Sequence, residues 1–114
     1  MLKIYHNPRC MKSRQTLALI QEAGADVEIV EYLKEVPSAA ELKAVIGKLG
    51  IGAEQLLRKG EKVFKENFKG QQHTDDEWIA IMLAHPKLIE RPIVIKGDKA
   101  VIGRPPESVN PFLH

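Results

Sequence analysis

The chain has 114 residues, of which 44% are hydrophobic and 28% are charged. This length and balance predict one globular domain over residues 1–114, with a core that needs no disulfides or metals. The net charge of +2 gives no general attraction to nucleic acid or to a membrane surface. No apolar run reaches the roughly 18 residues of a membrane span, and the first residues show no apolar signal segment. We therefore expect a cytoplasmic protein that binds neither nucleic acid nor membranes.

Residues 2–32 predict a β-α-β unit. Leu2–Tyr5 alternates apolar and polar residues as a short strand does, and turn residues follow it. A helix is predicted from Ser13 to Ala23, with Gly24 ending it. Val27–Tyr32 is rich in β-branched residues and predicts a second strand. The short helical connection makes these two strands parallel.

The middle of the chain is predicted to be helical. Ser38 and Glu41 form a capping-box pattern before a helix that ends at Gly50, and Thr74 and Glu77 repeat the pattern before a helix that stops ahead of Pro86. Short helices are predicted over residues 53–59 and 62–68.

The last third predicts a hairpin and a helix. Strands are expected over residues 92–95 and 100–102, joined at Gly97 and Asp98 and therefore antiparallel. Pro105 and Pro106 then open a short helix. The order predicts an α/β protein with a thioredoxin-like fold. Its four-stranded mixed sheet would have a helical insertion between the β-α-β and β-β-α halves.

Cys10, the only cysteine, lies in a stretch without carboxylates. Residues 1–21 contain no Asp or Glu, but they include Arg9, Lys12 and Arg14. Cations and a helix N-terminus lower the pKa of a thiol, and the same loop would attract an oxyanion. The position thus favours a nucleophilic thiolate with a pKa below about 8.5. The alternative is a buried structural cysteine.

The sequence after Cys10 restricts its chemistry. Cys10 to Ser13 is a Cys-x-x-Ser pattern, so no second thiol can resolve a disulfide made by Cys10. Ser13 either donates a hydrogen bond to the thiolate or only caps the helix. His6 either influences the ionisation of Cys10 or packs beside it. A phosphatase loop would need arginine where Thr16 stands, and the other histidines lack metal-ligand spacing.

Four segments together resemble the glutaredoxin-coupled arsenate reductase family, over nearly the whole chain and in the family's order. They are Tyr5–Leu17, Leu56–Lys59, His85–Val94 and Gly103–Glu107. The family's catalytic cysteine matches Cys10, and its three oxyanion-binding arginines match Arg58, Arg91 and Arg104. The histidine and serine beside the thiol match His6 and Ser13, and Arg14 is a further supporting cation.

The resemblance implies reduction of arsenate to arsenite, as in arsenic detoxification. Cys10 would attack the arsenic of arsenate or of a similar oxyanion, held by Arg58, Arg91 and Arg104. Glutathione would act as co-substrate, glutaredoxin would clear the mixed disulfide, and no cofactor would stay bound. The fold also predicts a cis bond between Arg91 and Pro92, beside the cysteine.

Two other functions remain open. One is a general glutathione-dependent thiol reductase in which the arginines bind glutathione carboxylates. The other is a redox-sensing regulator that binds RNA polymerase, a class that typically uses Cys-x-x-Cys and is disfavoured by Ser13. If the protein is an arsenate reductase, Arg58, Arg91 and Arg104 should converge on Cys10.

Overall fold

The computed structural model describes residues 2–113, and the chain divides into two compact units. The first unit combines the segment up to Glu35 with the segment from Arg91 onward, and the second is Val36–Glu90. The second unit is thus the predicted helical insertion. The expectation of a single domain over residues 1–114 stays a prediction.

The first unit contains a four-stranded mixed sheet in the order β2-β1-β3-β4. The central strand β1 pairs in parallel with β2 and antiparallel with β3, and β3 pairs antiparallel with β4. The strands are β1 (Leu2–Tyr5), β2 (Val27–Val30), β3 (Ile93–Lys96) and β4 (Lys99–Ile102). The predicted strand directions are confirmed, although β2 ends two residues before the predicted Tyr32.

Helix α1 (Met11–Glu22) and a 3₁₀ helix (Pro106–Leu113) contact each other in the first unit. Its core consists of buried apolar residues from the sheet and from both helical elements, namely Leu2, Ile4, Ile20, Val94 and Val109. The predicted final short helix is present as a 3₁₀ helix. Pro111 lies inside it and has no N–H to donate, which works against regular α-helical bonding.

The second unit holds α2 (Ala39–Leu49), α3 (Lys62–Asn67) and α4 (Asp75–Ala84). Both predicted capping boxes are present, at Ser38 and Thr74, and Gly50 adopts φ 70° where α2 ends. The helix predicted over residues 53–59 is only a 3₁₀ turn, Ala53–Leu56, because Leu57 instead forms an antiparallel bridge with Ile89.

A second 3₁₀ turn, Pro86–Leu88, was not predicted. Within residues 2–113, every helix is too short or too polar to span a bilayer.

Candidate active site

Cys10 caps the N-terminus of α1. It has extended backbone angles, its N–H donates to the Asn7 carbonyl at 3.0 Å, and its carbonyl accepts from the Arg14 N–H at 3.0 Å. The residue is buried, with 8% of its surface exposed. The helix therefore begins at Met11 and not at the predicted Ser13. Its N-terminal partial positive charge is directly at the thiol.

Ser13 does not cap the helix, although its residue type favours that position. Its fully buried hydroxyl oxygen accepts a hydrogen bond from the Asn7 N–H at 3.0 Å and lies 2.6 Å from Nδ1 of His6. The side chain of Ser13 thus links α1 back to the loop that follows β1. Its backbone N–H interacts with the Cys10 sulfur.

His6 is buried next to this serine. Burial lowers the pKa of the His6 imidazole, Glu31 opposes the change, and Arg14 adds to it. The neutral ring is therefore favoured, which fits a residue that contacts Ser13 and places no positive charge beside the thiol.

Two arginines that are distant in sequence meet at Cys10. Nη2 of Arg104 lies 3.6 Å from the Cys10 sulfur, and Nε of Arg104 donates to the Arg91 carbonyl at 2.8 Å. The Arg91 guanidinium also interacts with the thiol. The predicted cis bond between Arg91 and Pro92 is present, as is a second one between Arg104 and Pro105.

The net effect of this environment is a lowered thiol pKa. Burial raises the pKa of Cys10, but the Ser13 N–H and the guanidiniums of Arg104 and Arg91 together outweigh it and stabilise the thiolate. A helix-capping thiol stabilised by two guanidiniums can act as a nucleophile near neutral pH.

The cations nearest to Cys10 in sequence are not the ones that act most on it. Arg9, Lys12 and Arg14 are exposed, and Nη1 of Arg14 donates to the Pro8 carbonyl at 2.9 Å. The groups that lower the Cys10 pKa most are the Ser13 N–H and the guanidiniums of Arg104 and Arg91, and a contribution from Arg9, Lys12 and Arg14 stays a prediction. Arg14 also supports the loop.

Arg58 belongs to the second unit and has carboxylate partners there. Its guanidinium lies 3.7 Å from Glu61 and 3.5 Å from Glu90, and its N–H donates to the Leu88 carbonyl at 2.7 Å. The side chain is 24% exposed. A joint role with Arg91 and Arg104 stays a prediction.

Two features of the site escaped the sequence analysis. Asn7 is buried and accepts the Arg9 N–H through its side chain at 3.0 Å, which orders the loop. Thr16 and Gly103 contact each other beside Pro92. In the sequence, only Asn7 and Pro8 indicate one of these features, because they are turn residues that mark the loop after β1. Met11, beside the thiol, is 61% exposed.

Across residues 2–113 no three His, Cys, Asp or Glu side chains cluster as a set of metal ligands.

Residues 5–112 match the ArsC family. An arsenate reductase of Haemophilus influenzae is 45% identical over 93% of this chain and 93% of its own length. The uncharacterised protein YfgD of Escherichia coli is 46% identical over 95% of this chain and 92% of its own length.

A solved structure of an arsenate reductase from Vibrio cholerae superimposes with a TM-score of 0.91 at 45% identity, covering 96% of this chain and 95% of that one. These matches confirm the predicted thioredoxin-like fold with its four-stranded mixed sheet. With the family match extending over nearly all of its length, the chain belongs to the ArsC family.

Proposed function

We propose that this protein reduces arsenate to arsenite through Cys10, with glutathione and glutaredoxin as reductants. The observation that carries the proposal is the lone thiol at the start of α1, stabilised as thiolate by Arg91 and Arg104. Relatives that are 40–45% identical and of similar length are named arsenate reductases, which supports the choice of oxyanion.

In the first step, the Cys10 thiolate attacks the As(V) of arsenate. A sulfur–arsenic bond forms while one arsenic–oxygen bond breaks, and the leaving oxygen departs as water after protonation. Arsenic stays As(V) in this step. Arg91 and Arg104 neutralise the oxyanion, and planar guanidinium groups match its pairs of oxygens better than ammonium groups do. Arg58 is proposed as a third binding arginine from the resemblance alone.

Reduction follows in the second step. A glutathione thiolate attacks the Cys10 sulfur, so a disulfide bond forms and the sulfur–arsenic bond breaks. The electron pair of the broken bond stays on arsenic, which leaves as arsenite. A glutaredoxin thiol then attacks the glutathione sulfur and releases Cys10 as thiolate. An external thiol is required because the chain has no second cysteine.

A groove beside α1 supports the use of a peptide-sized thiol. It has a volume of about 440 Å³ and is lined, among others, by Lys12, Gln15, Leu19, Pro105 and Glu107. This volume is within the range of small-molecule sites. Lys12, two residues after the nucleophile, offers a cation for a glutathione carboxylate, and the lining residues Glu22 and Glu107 offer carboxylates for the glutathione ammonium group. We also propose a cytoplasmic location, because the reducing thiol pools of the cell are there.

The test is a coupled assay with purified protein, arsenate, glutathione, glutaredoxin, glutathione reductase and NADPH. We expect NADPH consumption that requires both arsenate and glutaredoxin. Turnover of a glutathionylated protein without turnover of arsenate would instead identify a general thiol reductase. Specific retention of RNA polymerase by the protein, with neither activity, would identify a regulator.

A further inference from the structure

Gly103 connects the segment that carries Arg104 to two other parts of the first unit. Its N–H donates to the Pro92 carbonyl at 2.8 Å, and its carbonyl lies 3.2 Å from the Thr16 hydroxyl. A Cβ at this position would lie 2.7 Å from Oγ1 of Thr16 and 2.9 Å from Cγ of Pro92. Such distances are shorter than van der Waals contact, so the approach requires glycine.

Thr16 is a fully buried polar residue on the helix that starts at Cys10. Its hydroxyl has one proton and two carbonyl acceptors, Lys12 at 2.8 Å within α1 and Gly103 at 3.2 Å. The bond to Lys12 is the common local bond of a helical threonine. The contact with Gly103 spans 87 residues of sequence and joins α1 to the residue before Arg104.

Arg104 follows Gly103 directly and is exposed. A long exposed arginine samples many rotamers, and its guanidinium stays near one atom only if its backbone and its stem are held. Here Nε is held by the Arg91 carbonyl at 2.8 Å, which leaves Nη2 at 3.6 Å from the Cys10 sulfur. The backbone of residue 104 is held through Gly103.

We propose that Thr16 and Gly103 are positioning residues that set the distance between the Arg104 guanidinium and the Cys10 sulfur. Both act on the sulfur through Arg104. The consequence for arsenate reduction rests on the proposed function, whereas the geometric claim is tested on the thiol alone.

The measurement is the pH midpoint of Cys10 alkylation by iodoacetamide in the full-length protein. Thr16→Val keeps the side-chain shape but removes the hydroxyl, and we expect the midpoint to rise by about 0.5 pH unit as Arg104 loosens. Thr16→Ser keeps the hydroxyl and should restore the wild-type midpoint. Gly103→Ala should raise the midpoint by displacing the segment.

Thr74, the only other threonine, gives a matched control. Thr74→Val removes the exposed hydroxyl that accepts the Glu77 N–H at the cap of α4 in the second unit, so it should lower the melting temperature and leave the midpoint unchanged. A Thr16→Val protein that is destabilised but keeps the wild-type midpoint would overturn the proposal. So would a Thr16→Ser midpoint raised as far as that of Thr16→Val.

If Thr16→Val does not fold, Gly103→Ala decides, because an unchanged midpoint there also overturns the proposal. Since the readout needs no arsenate, failure of arsenate turnover and failure of this inference are separate results.

Discussion

In the first unit, Arg104 brings a guanidinium nitrogen to 3.6 Å from the Cys10 sulfur, whereas in the second unit Arg58 is ion-paired with Glu61 and Glu90. The same type of side chain thus stabilises a thiolate in the first unit, at Arg104, and pairs with carboxylates in the second unit, at Arg58. The local partners, and not the count of arginines, determine what each one contributes.

The largest expected effect is on the thiol of the first unit. Cys10→Ser should abolish arsenate reduction and should also abolish the single glutathione adduct that oxidised glutathione forms on the wild-type protein. The fold should survive, because serine is well accepted at a helix N-cap. Intact-mass spectrometry and the coupled assay measure the two losses, with circular dichroism as the control for folding. Retained reductase activity would refute the enzymatic proposal.

The arginines offer the sharpest test of the comparison. Arg91→Ala, Arg104→Ala and Arg58→Ala should each weaken oxyanion binding by about 1.5–3 kcal/mol, the range of hydrogen bonds to charged groups. Only the Arg91 and Arg104 variants should also raise the midpoint of Cys10 alkylation, since their guanidiniums lower the thiol pKa. Calorimetric titration with arsenate and alkylation rates measure the two effects.

Arg91→Lys refines this test. It keeps the positive charge but loses the planar guanidinium fork, so we expect it to weaken arsenate binding. Unchanged arsenate affinity in all three alanine variants would show that the arginines serve another purpose. A raised midpoint of Cys10 alkylation in Arg58→Ala would show that Arg58 also lowers the thiol pKa, and the contrast between Arg58 and Arg104 would then be wrong.

In the second unit we expect an effect on stability without an effect on chemistry. Thr74→Ala removes the hydroxyl that accepts the Glu77 N–H at 3.2 Å, which should lower the free energy of unfolding by about 1 kcal/mol. Urea denaturation measures this loss, and Ser38→Ala at the start of α2 is a matched second cap. The alkylation midpoint of Cys10 should not change in either variant. A shifted midpoint would indicate that the caps influence the thiol.

The smallest expected effect is a pH dependence of stability from His6. Because the pKa of His6 is lowered by folding, the unfolded chain binds more protons between the folded pKa and about 6.5. The stability contribution is therefore present above pH 6.5 and is lost as the pH falls through the folded pKa. His6→Asn should show a smaller decrease in unfolding free energy between about pH 7.5 and pH 5.5. Equal slopes in both proteins would contradict this.

The order of the elements could be predicted because each depends on local patterns. The capping boxes at Ser38 and Thr74 mark helix starts through neighbouring residues, and Gly97 with Asp98 marks a hairpin. The start of α1 was predicted wrongly because the Ser13 hydroxyl bonds backward to Asn7, and this depends on the loop conformation.

Predictions of the site from residues alone were less complete. The position of Cys10 at a helix start suggested a reactive thiol, but the cations next to it in sequence are not the ones that lower its pKa most. Arg91 and Arg104 reach the sulfur only because the sheet brings β3 and the end of β4 together beside α1. Long-range pairing of this kind leaves no local pattern, so only the family resemblance indicated these two residues.

The exposure of Met11 has a consequence for any study of oxidation in this protein. A thioether that is 61% exposed is open to peroxide, and it stands directly beside the thiol. A mass gain of one oxygen therefore does not distinguish a sulfenic acid at Cys10 from a sulfoxide at Met11 or at another of the three methionines. Dimedone labels only the sulfenic acid, and methionine sulfoxide reductase removes only the sulfoxide. Oxidative inactivation should therefore be assigned to the thiol only after both treatments, and Met11→Leu then tests the share of the exposed thioether.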